Sequence, residues 1–377
     1  MSVPRAITVL QILPALNSGG VERGTLEISR YLVQQGIRSL VMSGGGRLTD
    51  QLLTEGGEHF TCPIGKKSLL TLRHVRPLRR FMLEHKVDLL HVRSRLPAWI
   101  AYLAWRGMDP KLRPRLVTSV HGFYTVNRYS AVMTFGERVI AVSNTISDYL
   151  DANYPQLDKQ QVRVIPRGVN KHEFPHGFQP DDRWLTKWHR NHPRPQGTQL
   201  LTLPARLTRW KGQLDFIDLI ARLVQSGLPV HGLIVGDADP KKQHYQRELE
   251  ARIAALNLHQ YISLIGHRND LKEIMSISSM VLSLSQDPEA FGRTTPEALS
   301  LGIPVVGYDH GGVGEVLRAW YPHGVTPVGD LDALTQTVSQ LLAHPVPVPP
   351  QTDFTLEHMQ TDTLSVYQEL LGSTRTR

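Results

Sequence analysis

MVLSLSQDPEAFGRTTPEALSLGIPVVGY, residues 280–308, reads as a strand, a loop, a helix and a second strand. MVLSLS (280–285) and IPVVGY (303–308) are short apolar, β-branched runs, the pattern of strands buried on both faces. Between them, Pro296 suits the first turn of a helix, where its missing N–H is no loss. Strand, helix and strand in close succession imply a parallel sheet with helices packed on it.

Working outward, the same alternation fills the chain. Before residue 171 the strand patterns are 7–13, 39–43, 87–92, 115–120, 138–143 and 162–166, with helix patterns at 21–35, 73–85, 97–106 and 144–154. The first helix places Val21, Ile28 and Leu32 on one face, with Gly36 as its stop signal. After residue 198 the strands fall at 199–207, 230–237, 261–266, 280–285 and 303–308. Helices fall at 212–225, 241–256, 270–277, 296–301 and 332–342. Residues 171–198, rich in Pro and His and containing Trp184 and Trp188, break the rhythm and read as a hinge or linker. The expected architecture is therefore α/β. An N-terminal doubly wound, Rossmann-like domain spans 1–170 and a C-terminal one 171–355. An amphipathic helix at 356–371, within a C-terminal segment 356–377, follows PVPVPP (345–350).

The 377 residues suit two domains. No apolar stretch approaches the ~20 residues of a spanning helix. MSVPRAITVLQIL (1–13) has one Arg and runs straight into a strand pattern, without the layout of a signal peptide. Cys62 is the single cysteine, so intramolecular disulfides and cysteine metal sites are excluded and a cytoplasmic setting is expected. The net charge of +8 is unevenly spread. Residues 1–170 hold 23 Lys and Arg against 12 Asp and Glu, and the remainder 19 against 22. The bias is densest over Lys66–Arg115, with 13 basic and 3 acidic residues. That field suits an anionic substrate or surface, or is a solvated basic face. No nucleic-acid recognition motif accompanies it.

Four segments carry candidate chemistry, each leaving the carboxyl end of a predicted strand. In 287–306, Glu289 lies in the loop and Glu297 in the first helical turn. Carboxylates accept forked hydrogen bonds from vicinal diols, so both could hold sugar hydroxyls. Glu297 could equally serve the helix dipole. Gly292 lets backbone approach a ligand, and free N–H groups at the start of the helix, around Thr294 and Thr295, would face a diphosphate. In LPARLTRWKGQ (203–213), Arg206 and Lys211 could converge as a diphosphate clamp, or be solvated cations. In LNSGGVERG (16–24), Gly19 and Gly20 turn a strand into a helix and could offer N–H groups to phosphate or sugar, or form a tight turn. In SVHGF (119–123), His121 could hydrogen-bond a sugar hydroxyl. DAD (237–239) and DLD (330–332) mimic a metal-binding DxD but stand outside this constellation.

These segments resemble family 4 of the retaining glycosyltransferases, which have the GT-B fold, over nearly the whole chain. GGVER resembles the family's N-terminal glycine loop, HG (121–122) its active-site histidine motif, and VIPRGVN (164–170) its interdomain VIPNGVD signature. ARLTRWKG resembles its diphosphate clamp and EAFGRTTPE its E-x7-E motif. The resemblance implies a cleft between two domains and a last helix crossing back onto the first. It implies a catalytic set of His121, Arg206, Lys211 and Glu289. His121 would contact the donor sugar, Arg206 and Lys211 the diphosphate, Glu289 the sugar hydroxyls and Glu297 the ribose. Gly19, Gly20, Phe291, Gly292, Arg293, Thr294 and Thr295 would complete the donor-binding set.

No metal or cofactor is expected, because the two cations would replace one. The expected partners are a nucleoside-diphosphate sugar and an anionic glycan or lipid-linked acceptor, as in lipopolysaccharide core assembly. Peripheral contact with the inner face of a bacterial inner membrane is expected as well. A sugar-nucleotide epimerase, a soluble transferase acting on a small sugar or sugar phosphate, and a non-catalytic scaffold stay open as alternatives. Arg167 stands where the family has Asn, and Arg293 where an apolar residue is common.

Overall fold

The computed structural model describes residues 5–17, 19–238 and 244–372. The chain divides into two compact units, residues 1–168 with 356–377, and residues 169–355.

The first unit is built from β1 (Thr8–Ile12), α1 (Gly20–Gln34), β2 (Arg38–Ser43), α2 (Thr49–Thr54), β3 (Glu58–Thr61), α3 (Val75–Glu84), β4 (Leu89–Val92), α4 (Arg95–Arg106), β5 (Arg115–Val120), β6 (Arg138–Ala141), α5 (Asn144–Asn153) and β7 (Val162–Val164). Its seven strands lie in the order β3-β2-β1-β4-β5-β6-β7, every pair parallel. The order reverses between β1 and β4, the switch point at which doubly wound sheets bind ligands.

The second unit follows the same plan. It contains α6 (Asp182–Asn191), β8 (Gln199–Pro204), α7 (Gln213–Gln225), β9 (Val230–Val235), α8 (His244–Ala255), β10 (Ile262–Leu264), α9 (Leu271–Ser276), β11 (Met280–Ser283), α10 (Thr294–Ser300), β12 (Val305–Tyr308), α11 (Gly311–Trp320), β13 (Val325–Thr326) and α12 (Leu331–Ala343). The order β10-β9-β8-β11-β12-β13 is again all parallel and reverses between β8 and β11. Leu201 and Leu203 of β8, Phe216, Ile217 and Ile220 of α7, and Val316 and Leu317 of α11 meet in one core. Each aliphatic side chain so buried contributes roughly 1.5–3 kcal/mol.

The last helix, α13 (Leu356–Gly372), belongs to the first unit. Leu356, Met359, Val366, Tyr367 and Leu370 pack with Ile28 and Leu32 of α1 and Val9, Leu89, Val117 and Ile140 of the sheet. Spacings of three and four residues put those apolar side chains on one helical face. Among the described residues, no helix is long and apolar enough to cross a membrane.

Several elements depart from the sequence reading. Residues 171–198 are no linker. They contain α6, capped by Asp181, whose carboxylate accepts the Trp184 N–H at 2.7 Å. Trp188 is buried with Leu200, Leu233, Val235 and Ile274. One apolar turn repeat in a polar helix leaves almost no periodicity to read. Four further elements, β3, α2, α11 and β13, have no counterpart in the sequence reading. β3 is a short polar edge strand, fixed by the Arg38 fork on Glu58 at 2.7 and 2.8 Å. α2 has one buried residue, Leu52. α11 starts GGVG, a poor helix opening by propensity. The last strand, β13, is two residues long. The helix pattern at 241–256 begins in part outside the described residues, and α8 starts at His244.

Candidate active site

In the second unit, the loops after β8 and β11 leave the sheet at its switch point. The β8 loop is tied down by Gln213, whose Nε2 donates to the Arg206 carbonyl at 2.9 Å. The Gln286 N–H donates to the Trp210 carbonyl at 2.7 Å and joins the two loops. Gly212 has φ +73°, and a Cβ there would stand 2.0 Å from the Leu284 carbonyl oxygen, so the turn needs glycine.

That turn brings Lys211 to Glu289, with Nζ 2.7 Å from Oε1 and both side chains mostly buried. Lys211 Nζ also lies 4.2 Å from the Trp210 ring centroid. Glu289 accepts from Ser285 Oγ at 2.5 Å, and its backbone carbonyl accepts the Gly312 N–H at 2.8 Å. A carboxylate oxygen held by Lys211 and Ser285, on a loop whose backbone is tied to Gly312, is aimed before any ligand arrives. Arg206 is exposed and, among the described residues, makes no ion pair.

The sequence reading did not include the start of α11. Gly311 has φ +58°, and a Cβ on Gly312 would fall 2.3 Å from the Phe291 Cα. The glycines let this helix end pack directly on the Glu289 loop. His310 Nε2 is 2.6 Å from the Ser285 carbonyl oxygen and tethers the same corner. The GG pair at 311–312, after a strand, was the available signal.

Around α10 the findings are mixed. Glu297 is 5% exposed, and its Oε1 is 3.4 Å from Arg293 Nε one turn earlier. Gly292, with φ +76°, packs against Val313 and Glu289. Two expectations need correction. The Phe291 ring is buried in the core and pairs with Phe354 at 5.9 Å, so it is not presented to a ligand. The Thr295 N–H is not free, since it donates to the Gly292 carbonyl at 3.1 Å, and its side chain is buried. Thr294 opens the helix and is half-buried.

The DxD look-alikes have other tasks. Asp330 caps α12 through the Ala333 N–H at 2.9 Å, Asp332 pairs with Arg222, and Asp237 accepts the His267 N–H. Asp239 lies outside the described residues.

The first unit carries a different constellation. Gly19, with φ +137°, caps α1, and its carbonyl accepts the Arg23 N–H. Gly20 is the first helical residue, and both glycines are exposed. Ser18 lies outside the described residues. After β5, His121 Nδ1 lies 2.9 Å from Arg167 Nη2. A guanidinium only donates, so Nδ1 must accept and the ring proton sits on Nε2. Nε2 is shielded from solvent and, among the described residues, has no partner. Burial, then the charges of Arg167 and Arg93, hold this imidazole well below the ordinary histidine value. His121 is therefore a neutral donor at physiological pH.

Arg167 is 6% exposed and fits because α1 carries Gly24, where a Cβ would lie 2.3 Å from its Nη1. Behind it, Arg93 Nε donates to Gln11 at 3.0 Å, and His91 bridges Tyr367 at 2.5 Å and Ser119 at 2.6 Å. Burial first, then Arg93 and Arg167, depress His91 as well. Both arginines that depart from the family pattern thus touch a candidate site residue, Arg167 on His121 and Arg293 on Glu297.

Residues 18–173 match Glycosyltransferase Family 4, and residues 186–354 match Glycosyl transferases group 1. A glycosyltransferase from Rickettsia africae superposes with a TM-score of 0.84 and 28% identity, over 97% of this chain and 99% of that one. The Anabaena protein Alr3699/HepE, crystallised with UDP and glucose, superposes at 0.76 with 20% identity, over 98% and 100%. Among curated relatives, an N-acetyl-α-D-glucosaminyl L-malate synthase of Bacillus anthracis is 23% identical over 68% of this chain and 65% of its own length. The chain thus spans less than two thirds of that relative, and about half of another, a 2-deoxystreptamine glucosyltransferase of Streptomyces kanamyceticus. Two parallel Rossmann-like sheets, with the last helix packed in the first unit, define the GT-B fold. The chain belongs to glycosyltransferase family 4.

Proposed function

We propose that this protein moves a sugar from a nucleoside-diphosphate sugar to a hydroxyl of an anionic glycan or glycolipid, with retention of anomeric configuration. The observation that carries the donor half is the Lys211–Glu289 pair at the switch point of the second sheet. A diphosphate competes with Glu289 for Lys211. As Lys211 turns to phosphate, Glu289, still held by Ser285, accepts hydroxyl hydrogen bonds from the sugar. Arg206 is the second cation of the clamp, and Glu297, steadied by Arg293, holds the ribose. The UDP and glucose in the Anabaena structure are in keeping with such a donor.

As the glycosidic bond breaks, negative charge grows on the departing diphosphate. Lys211 and Arg206 stabilise it without a metal. No side-chain nucleophile is invoked. The acceptor oxygen bonds to the anomeric carbon on the face the diphosphate leaves, and the acceptor's proton passes to the departing phosphate oxygen. His121 donates its Nε2 proton as a hydrogen bond to a sugar hydroxyl, a role suited to a ring kept neutral.

The basic first half of the chain favours an anionic acceptor, and envelope glycan assembly at the inner face of the bacterial inner membrane is the setting proposed. The Bacillus anthracis relative, named for a malate product, favours a small anionic acceptor as a second reading. Slow hydrolysis of UDP-, GDP- and ADP-sugars, measured with EDTA present in wild type and Glu289→Ala, tests the donor half. Turnover of one donor that survives EDTA and is lost in the variant supports it. Turnover of none, or equal turnover by both proteins, contradicts it.

A further inference from the structure

Between β3 and α3 the first unit displays an apolar tip that no described residue covers. Leu69, Leu70 and Leu72 are 86%, 71% and 50% exposed. They stand on a single 3-10 turn, Leu69–His74. The turn is firmly built. Ser68 caps it by accepting the Leu70 N–H at 3.2 Å, and the buried Thr71 donates its hydroxyl to the Lys66 carbonyl at 2.6 Å. Ser68 N–H reaches the same carbonyl at 2.8 Å. These bonds lie within the turn and satisfy its polar groups locally, while the leucines stand exposed on it.

The surroundings are cationic. Lys66, Lys67, Arg73 and Arg76 are exposed, and no acidic residue occurs from Lys66 to Leu83. The first acid, Glu84, is paired with Arg80 at 2.5 Å. Adjacent exposed leucines, beside cations that make no ion pair among the described residues, match the interface of an anionic bilayer. Acyl chains take the leucines and headgroup phosphates take the cations. A protein partner or a second copy would instead bring matched acids or a larger apolar face.

We infer that residues 66–76 form a membrane-docking tip that holds the first unit on an anionic lipid surface. The inference deepens the envelope-acceptor reading, yet its test needs neither donor nor acceptor, so either can fail alone. The tip is separate in sequence from every residue assigned to donor or catalysis.

Flotation of the full chain with vesicles of phosphatidylcholine, and of equal parts phosphatidylcholine and phosphatidylglycerol, reads it out. Wild type should float only with the anionic vesicles and release as salt is raised. The Leu69→Ser, Leu70→Ser double variant should bind them about tenfold less at the same salt, since the loss is apolar. The Lys66→Gln, Lys67→Gln variant should weaken binding at low salt and flatten its salt dependence. Both variants change exposed side chains and should keep the wild-type melting temperature. Equal binding to both vesicle types, or undiminished binding by the leucine variant, overturns the inference. So does a wild-type dimer that the leucine variant makes monomeric without any change in flotation.

Discussion

The two units use one sheet plan and place different side-chain pairs beyond the carboxyl ends of their strands. In the second unit, carboxylates meet cations: Glu289 with Lys211, and Glu297 with Arg293. In the first, Arg167 also stands against the neutral His121 ring and Arg93 against the Gln11 amide. On the proposed function, the Lys211–Glu289 arrangement exchanges partners: an incoming anion would replace the carboxylate and free it for hydroxyls. The Arg167–His121 contact instead fixes the direction of a hydrogen-bond donor, since it leaves the ring proton on Nε2. A fold repeated within one chain thus carries a cation–carboxylate pair, proposed to answer an incoming anion, and a histidine ring aimed by its arginine.

The contrast can be broken most sharply at Lys211. Lys211→Ala should lower sugar transfer about 10²–10³-fold, the loss typical of one preorganised donor to developing charge. Steady-state rates at saturating donor measure this, and a loss under tenfold would remove Lys211 from the clamp. Gly212→Ala tests the turn that delivers it. A side chain at φ +73° beside the Leu284 carbonyl should cost roughly 2–3 kcal/mol, read as a lower denaturant midpoint. An unchanged midpoint would show that the turn tolerates a Cβ.

Arg167→Asn, which restores the residue the family resemblance expects, sharpens the other side. It should cut transfer about tenfold and let His121 populate both tautomers, as 15N spectra of labelled histidine would show. A wild-type ring already protonated on Nδ1 would refute the tautomer assignment.

The smallest effect is on stability against pH. His91 and His121 titrate well below 6.5 when folded and near 6.5 when unfolded. Above pH 6.5 both forms of the chain leave them neutral. As pH falls below it, the unfolded chain takes protons that the folded chain refuses. Stability then drops by up to about 1.4 kcal/mol per pH unit for each ring, until the folded value is reached. His91→Gln should remove one ring's share of that slope in unfolding titrations. An unchanged slope would mean that His91 protonates in the folded chain.

The fold was legible because buried parallel strands write themselves as short β-branched runs with helices between. Elements with little buried apolar surface, such as β3 and α2, left no periodicity. α11 was hidden by glycines that exist for its close approach to Phe291, and α6 by a polar sequence that hangs on Trp188. Of the candidate site, the residue types and their places at strand ends could be read, whereas their pairings could not. Lys211 and Glu289 are 78 positions apart, and His121 and Arg167 are 46 apart. Arg167 and Arg293 read as departures from a pattern. Their geometry makes them the immediate neighbours of His121 and Glu297.

The central claim is that Lys211 trades Glu289 for the donor diphosphate. Calorimetric titration of the full chain with UDP, GDP and ADP in EDTA, for wild type and Lys211→Ala, tests it directly. One diphosphate should bind wild type without metal and at least about tenfold more weakly to the variant, in line with loss of a charge-assisted contact. Equal affinity for the two proteins would contradict the account.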